Sequence, residues 1–140
     1  PIPGNFMVKI YSPFMHLPLF TCRAGFPSPA QDMEEKSIDI TALLVPHPIS
    51  TFIAQVEGIS MCELGIFPGD YVIVDRSMPV RSGDVVVVRI GMSLLVKQYI
   101  RRRKQVVFMS ADKKQQLIPA MDDWEIWGKV SLRFGIPHTL

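Results

Sequence analysis

Twice between residues 68 and 90 the chain passes from a Gly-Asp turn straight into a β-branched strand. Pro68-Gly69-Asp70 leads into Tyr71-Val72-Ile73-Val74-Asp75, and Arg81-Ser82-Gly83-Asp84 leads into Val85-Val86-Val87-Val88-Arg89-Ile90. Glycine and aspartate favour turns, and runs this rich in valine and isoleucine suit a pleated, buried surface better than a helix. The neighbouring segments repeat the theme. Residues 51–57 alternate, with Phe52, Ala54 and Val56 on one face. Gly91-Met92 reverses the chain into residues 93–100, where Leu95, Lys97 and Tyr99 share one face. Residues 105–109, a short edge segment at 117–119, and residues 124–134, interrupted at Gly128, complete a series of closely spaced strands. No helical pattern exceeds a few turns. The fold class is therefore mostly β, with curved antiparallel sheets.

The N-terminal stretch differs. Six of the twelve prolines fall within residues 1–30 (Pro1, Pro3, Pro13, Pro18, Pro27, Pro29). Proline fixes φ and removes a backbone donor, so no long helix fits there. Phe6, Met7, Val8, Ile10 and Tyr11 nevertheless make the stretch apolar, and an extended arm of this kind should lie on something. Residues 31–36 are polar, a linker or short helix. Ser37-Ile38-Asp39-Ile40-Thr41 alternates like a strand, and Pro46 and Pro48 should stop any helix after Leu43 and Leu44. The expected organisation is a flexible arm over residues 1–36 and a folded domain over 37–140.

A chain of 140 residues is long enough for one ordinary core. The net charge of +2, from 15 basic and 13 acidic residues, does not argue for nucleic-acid binding by charge. The basic run Arg101-Arg102-Arg103-Lys104 reads as a solvated hairpin turn. Cys22 and Cys62 form no CxxC pair, and no apolar run approaches the roughly 20 residues that span a bilayer. A reduced, cytoplasmic setting without membrane attachment is expected. The histidines and cysteines lack metal-ligand spacing, so neither metal nor cofactor is expected.

Chemistry centres on Gly58-Ile59-Ser60-Met61. Ser60-Met61-Cys62-Glu63 matches a capping box, with Ile59 and Leu64 as a hydrophobic staple, so a short helix is predicted from Ser60 to about Gly65. By that reading Ser60 is only an N-cap. As a nucleophile it needs a base. His16 lies in the arm, His47 between prolines and His138 near the end, which disfavours a Ser-His-Asp triad. Lys97 is the other candidate. A free lysine is protonated below a pKa of about 10.4, but apolar neighbours such as Leu95 and Tyr99 can desolvate it and lower that value. The strand pattern equally fits an edge lysine whose stem packs on Tyr99 while its ammonium reaches water. If the two residues meet, Lys97 can take the Ser60 proton, and the Ser60 and Met61 backbone N–H groups can receive an oxyanion. The small pair Ala24-Gly25 would let a backbone approach such a serine, although Gly25 also fits a simple turn.

Taken in order, Ala24-Gly25, Gly58-Ile59-Ser60-Met61, Gly69-Asp70, Gly83-Asp84 and Val96-Lys97 resemble the self-cleaving domain shared by LexA and phage repressors, and UmuD-type proteins in particular. The resemblance covers the chain from about residue 20 onward. It implies a LexA-like serine endopeptidase domain behind an extended arm, with Ser60 as nucleophile, Lys97 as general base and Ala24-Gly25 as the scissile bond. It further implies a bacterial SOS-type homodimer whose cleavage is stimulated by a RecA filament on single-stranded DNA. The shortened form then serves a Y-family, UmuC-type polymerase in translesion synthesis, without sequence-specific DNA binding of its own. Only 24 residues precede the bond, which favours the UmuD type over a repressor fragment. One position departs from the family pattern: the residue before the serine is commonly polar, often aspartate, and here is Ile59. A non-enzymatic dimeric binding module is the competing expectation from a different class.

Overall fold

A computed structural model describes residues 15–22, 24–25, 36–110, 117–120 and 123–135. The expectations for the arm before Met15, for residues 23 and 26–35, for the loop 112–116 and for His138 lie outside the described residues. The chain divides into two compact units between Pro46 and His47. In the first, β1 (His16–Leu19) pairs antiparallel with β2 (Lys36–Asp39). The alternation expected to continue as a strand through Thr41 stops at Asp39, and α1 (Ile40–Leu44) follows. The reason is local: the Asp39 carboxylate accepts the Ala42 N–H at 3.2 Å, the N-cap bond that starts a helix. Pro46 lies just beyond its end.

The second unit is a seven-stranded antiparallel sheet. Its strands are β3 (Thr51–Gln55), β4 (Tyr71–Asp75), β5 (Val85–Ile90), β6 (Ser93–Arg102), β7 (Gln105–Met109), β8 (Leu117–Pro119) and β9 (Trp124–Phe134). Their order across the sheet is β3-β4-β9-β5-β6-β7-β8.

The two Gly-Asp turns are built alike. Asp70 N–H donates to Phe67 O at 3.0 Å while its carboxylate accepts the Phe67 N–H at 2.9 Å. Asp84 N–H donates to Arg81 O at 3.0 Å and its carboxylate accepts the Arg81 N–H at 2.8 Å. Both aspartates face a cation of β9: Arg133 at 3.7 Å from Asp70, and Lys129 at 3.3 Å from Asp84. The Asp84 carboxyl is held below its ordinary range, first by the Arg81 N–H and then by Lys129. Each turn thus launches its strand against the same central partner.

β9 also curves the sheet. Its register slips between Ile73 and Val74 of β4, leaving Ser131 unpaired, and again between Val87 and Val88 of β5, leaving Trp127 unpaired. Each extra residue bends the strand and increases its twist. Gly128, expected as an interruption, lies within a continuous strand, where a Cβ would stand 2.6 Å from Val74 Cγ1. Both faces of β5 are covered as a result. Val87 joins Val56, Met61, Ile66, Val72 and Val74 in one core. Val86 and Val88 join Phe108 in the other. Continuous burial explains the unbroken valine run.

At the start of the second unit His47 Nδ1 lies 2.6 Å from the carboxylate of Asp75, which is 2% exposed. Ser77 donates to the same carboxylate from its N–H at 2.9 Å and its hydroxyl at 2.7 Å. The His47 bond, then the Ser77 hydroxyl, hold the Asp75 carboxyl far below the usual carboxylate range. A depressed folded-state value contributes stability that is present above the unfolded value of about 3.9 and is lost as pH falls below it. Asp75→Asn is therefore expected to lower the unfolding free energy at neutral pH, with the gap to wild type closing below about pH 4. Urea titrations of both proteins across pH measure this; a gap independent of pH would contradict it.

Candidate active site

The serine is reached from β3. Val56 extends the pairing with β4, donating its N–H to Asp70 O and accepting from Gly69 N, both at 2.8 Å. Gly58 then takes φ +86°, a left-handed conformation costly to residues with a Cβ, and turns the chain out of the sheet. Cys62 N–H donates to Ile59 O at 3.1 Å, which makes Ser60 and Met61 the central residues of a tight turn.

The capping-box expectation is corrected here. The helix is a single 3-10 turn, Cys62–Leu64, whose N-cap is Met61 with no side-chain capping bond. Ser60 lies ahead of it, and Ile59 and Leu64 are both exposed. Met61 explains the difference. Its side chain is buried in the core at 2% exposure, while its carbonyl accepts from both Leu64 and Ile66 N–H. Anchoring Met61 in this way uses the chain's first turn for burial rather than for an α-helix. Half-buried Ser60 is consequently held between two core residues, Val56 and Met61. Among the described residues, neither the Ser60 nor the Met61 amide has a hydrogen-bond acceptor.

Lys97 stands on β6, which lies between β5 and β7. β7 is registered with β6 only from Gln98 onward, so Lys97 has a strand partner on β5 alone, and its ammonium is engaged by a protein hydroxyl. Its cross-strand neighbour on β5 is Val86, which is fully buried, and its ammonium nitrogen donates to the hydroxyl of buried Ser110 at 2.5 Å. Lys97 itself is half-buried.

A cavity of about 740 Å³ is lined by Ser60, Met61 and Lys97, by all of residues 52–58, and by Val74, Val87, residues 94–96 and Trp127. β3 and β6 are separated in the sheet by β4, β9 and β5. At about 4.8 Å per strand a flat sheet would hold them nearly 20 Å apart. Residues of both nevertheless line one hollow; β9, between them, carries two bulges of the kind that bend a sheet, and Trp127, left unpaired at the second, lies 5.1 Å from Phe52 between ring centroids.

Ala24 and Gly25 occupy an exposed bend of the first unit, with Gly25 at φ +115°. His16 is exposed on β1 and His47 is engaged with Asp75; among the described residues no histidine lines the Ser60 cavity. Cys22 and Cys62 are free thiols. Ser110 was not anticipated from sequence, yet a signal existed. Counting back from a two-residue turn at Arg103-Lys104 pairs Arg102 with Gln105, Gln98 with Met109, and so Lys97 with Ser110.

The architecture is thus that of a curved β domain that brings a serine and a lysine to one apolar-walled cavity beside an edge strand. Residues 18–131 match the family described as Peptidase S24-like. Protein ImpA of Salmonella typhimurium is 34% identical over 100 residues, 70% of this chain and 69% of ImpA. Protein MucA of Escherichia coli is 36% identical over 110 residues, 77% of this chain and 75% of MucA. The LexA repressor of Aeromonas salmonicida is 34% identical over 95 residues, covering 68% of this chain and 45% of the repressor. The chain belongs to the Peptidase S24-like family as a UmuD-type, LexA-like member, a self-cleaving serine peptidase of the SOS mutagenesis class. Among the described residues no helix is long and apolar enough to cross a membrane.

Proposed function

We propose that this chain cuts its own peptide bond between Ala24 and Gly25, with Ser60 as nucleophile and Lys97 as general base. The observation that carries the reading is the shared cavity: two residues 37 positions apart in sequence line the same hollow, and the sheet is curved to allow it. Neutral Lys97 takes the Ser60 hydroxyl proton as the oxygen attacks the Ala24 carbonyl carbon. The oxyanion forms toward the Ser60 and Met61 amides, whose lack of acceptors suits them to this role. Lys97 then returns the proton to the Gly25 nitrogen, the peptide bond breaks, and an Ala24 ester on Ser60 remains. Water, activated by the same lysine, hydrolyses the ester.

For cleavage, β3 offers a substrate segment an edge to pair with. That strand is an edge of its sheet, and residues 52–55 are exposed and line the cavity, so an incoming strand can take up its unpaired backbone groups. Val56, Met61, Val74, Val87 and Trp127 exclude water from the reacting atoms.

The organisation we propose is an arm over residues 1–36 and a peptidase domain over 37–140, in a cytoplasmic bacterial homodimer. Its cleavage is stimulated by a RecA filament on single-stranded DNA, and the shortened form is the accessory subunit of a UmuC-type, Y-family translesion polymerase. A filament accelerates cleavage by binding more tightly to the conformation with the arm in the cavity, since a ligand shifts an equilibrium only through differential affinity. Incubating the chain with RecA, nucleotide and single-stranded DNA is expected to speed the loss of full-length protein relative to the chain alone. Equal rates with and without the filament would contradict that activation.

A further inference from the structure

We propose that Ser110 is a positioning residue for Lys97, its hydroxyl fixing the lysine amine in the orientation that serves Ser60. The inference rests on the serine–lysine reading above and adds a residue outside that pair. The contact is set by the sheet. Gln98 and Met109 are the last registered pair of β6 and β7, and one further step of the antiparallel count sets Ser110 opposite Lys97. Ser110 is 7% exposed, and its hydroxyl meets the Lys97 nitrogen at 2.5 Å. A hydroxyl buried to this extent needs a partner, and the lysine amine is one.

The chemistry explains why a hydroxyl suits the place. Lysine carries its amine on a four-carbon stem with large rotamer freedom, and a general base works only when its lone pair faces the proton it removes. Val86, fully buried on the β5 side, bounds the lysine in one direction, and Ser110 holds it from the other. A hydroxyl can accept from the ammonium and can accept from or donate to the neutral amine, so it retains its partner through the whole proton cycle. It also carries no formal charge. A carboxylate in its position would favour the protonated amine and oppose the base. Among the described residues, Glu57 lines the same cavity and Tyr99 stands two residues further along the same strand face.

Ser110→Thr and Ser110→Val differ from each other almost only in the hydroxyl, so comparing them in the full chain separates hydrogen bonding from packing. Self-cleavage is measured across pH, with folding checked by urea titration. The threonine variant is expected to keep the wild-type limiting rate and pH midpoint. The valine variant is expected to lose roughly tenfold to a hundredfold of the limiting rate. Its midpoint should move to lower pH, because the ammonium has lost an acceptor that favoured it. Equal limiting rates and midpoints for the two variants would overturn the assignment, as would a slower valine variant whose midpoint matches wild type. Lys97→Met is the control: if it cleaves at the wild-type rate, the serine–lysine reading itself fails, whereas an inactive Lys97→Met beside two equal Ser110 variants overturns only the role of Ser110.

Discussion

Ser60→Ala and Lys97→Met are each expected to abolish self-cleavage, a loss of about a thousandfold or more, while leaving the domain folded. The size of the effect follows from the role. Without the hydroxyl nothing attacks the carbonyl, and without the amine nothing accepts the proton from a hydroxyl that is otherwise a poor nucleophile. Preservation of the fold follows from the surroundings. Ser60→Ala deletes one oxygen from a turn that stays pinned by Val56 and by Met61, which is 2% exposed. Lys97→Met keeps most of the stem beside Val86, and thus the packing, while removing the amine. Lys97→Ala would be a poorer choice, since it opens a cavity there. Time courses of chain shortening, paired with urea titrations, measure both halves of the expectation. A Ser60→Ala chain that shortens at the wild-type rate would exclude Ser60 as nucleophile.

The second large effect is expected far from the serine in sequence. Gly128→Ala would set a methyl group 2.6 Å from Val74 Cγ1 and 3.2 Å from Arg76 Cγ. Val74 is fully buried at the centre of the first core and has no room to retreat. Overpacking of this kind costs about 1–3 kcal/mol of stability, and the backbone of β9 must move to relieve it. Gly128 adjoins the Trp127 bulge, and Arg76 both stacks over the Trp127 ring at 4.5 Å and donates its Nε–H to the Trp127 carbonyl at 2.7 Å. The cavity wall should therefore shift with it, and self-cleavage should slow by more than the loss of folded protein accounts for. Urea titration and cleavage rates on the same preparation test this; unchanged stability would show that β9 can yield at no cost.

Much of the fold was legible because it is encoded locally. The turns at Asp70 and Asp84 and the valine run of β5 each depend on a few adjacent residues, and the strands of the second unit stand close to where the sequence pattern put them, whereas β1 was not expected. What escaped depends on partners distant in sequence. The surroundings of Lys97 are decided by Val86 across on β5 and by Ser110 just beyond the end of β7, not by its own alternation. The cavity that Ser60 and Lys97 both line, and the two extra residues of β9, are visible only against the registers of β4 and β5. The short helix expected from Ser60 to about Gly65 does not start there because the capping box describes helix starts in general, whereas here burial of Met61 takes precedence. Asp39 erred in the other direction: the period-2 pattern outweighed a capping residue in plain view. The His47–Asp75 bond joins residues 28 positions apart and had no local signature.

The masses of the reaction products test most directly whether Ser60 and Lys97 cut the bond between Ala24 and Gly25. Wild-type chain, Ser60→Ala and Lys97→Met are incubated side by side with the RecA filament and weighed intact. Wild type is expected to yield fragments corresponding to residues 1–24 and 25–140, with both variants remaining whole. Fragments ending at any other bond, or the same two fragments from either variant, would contradict the claim.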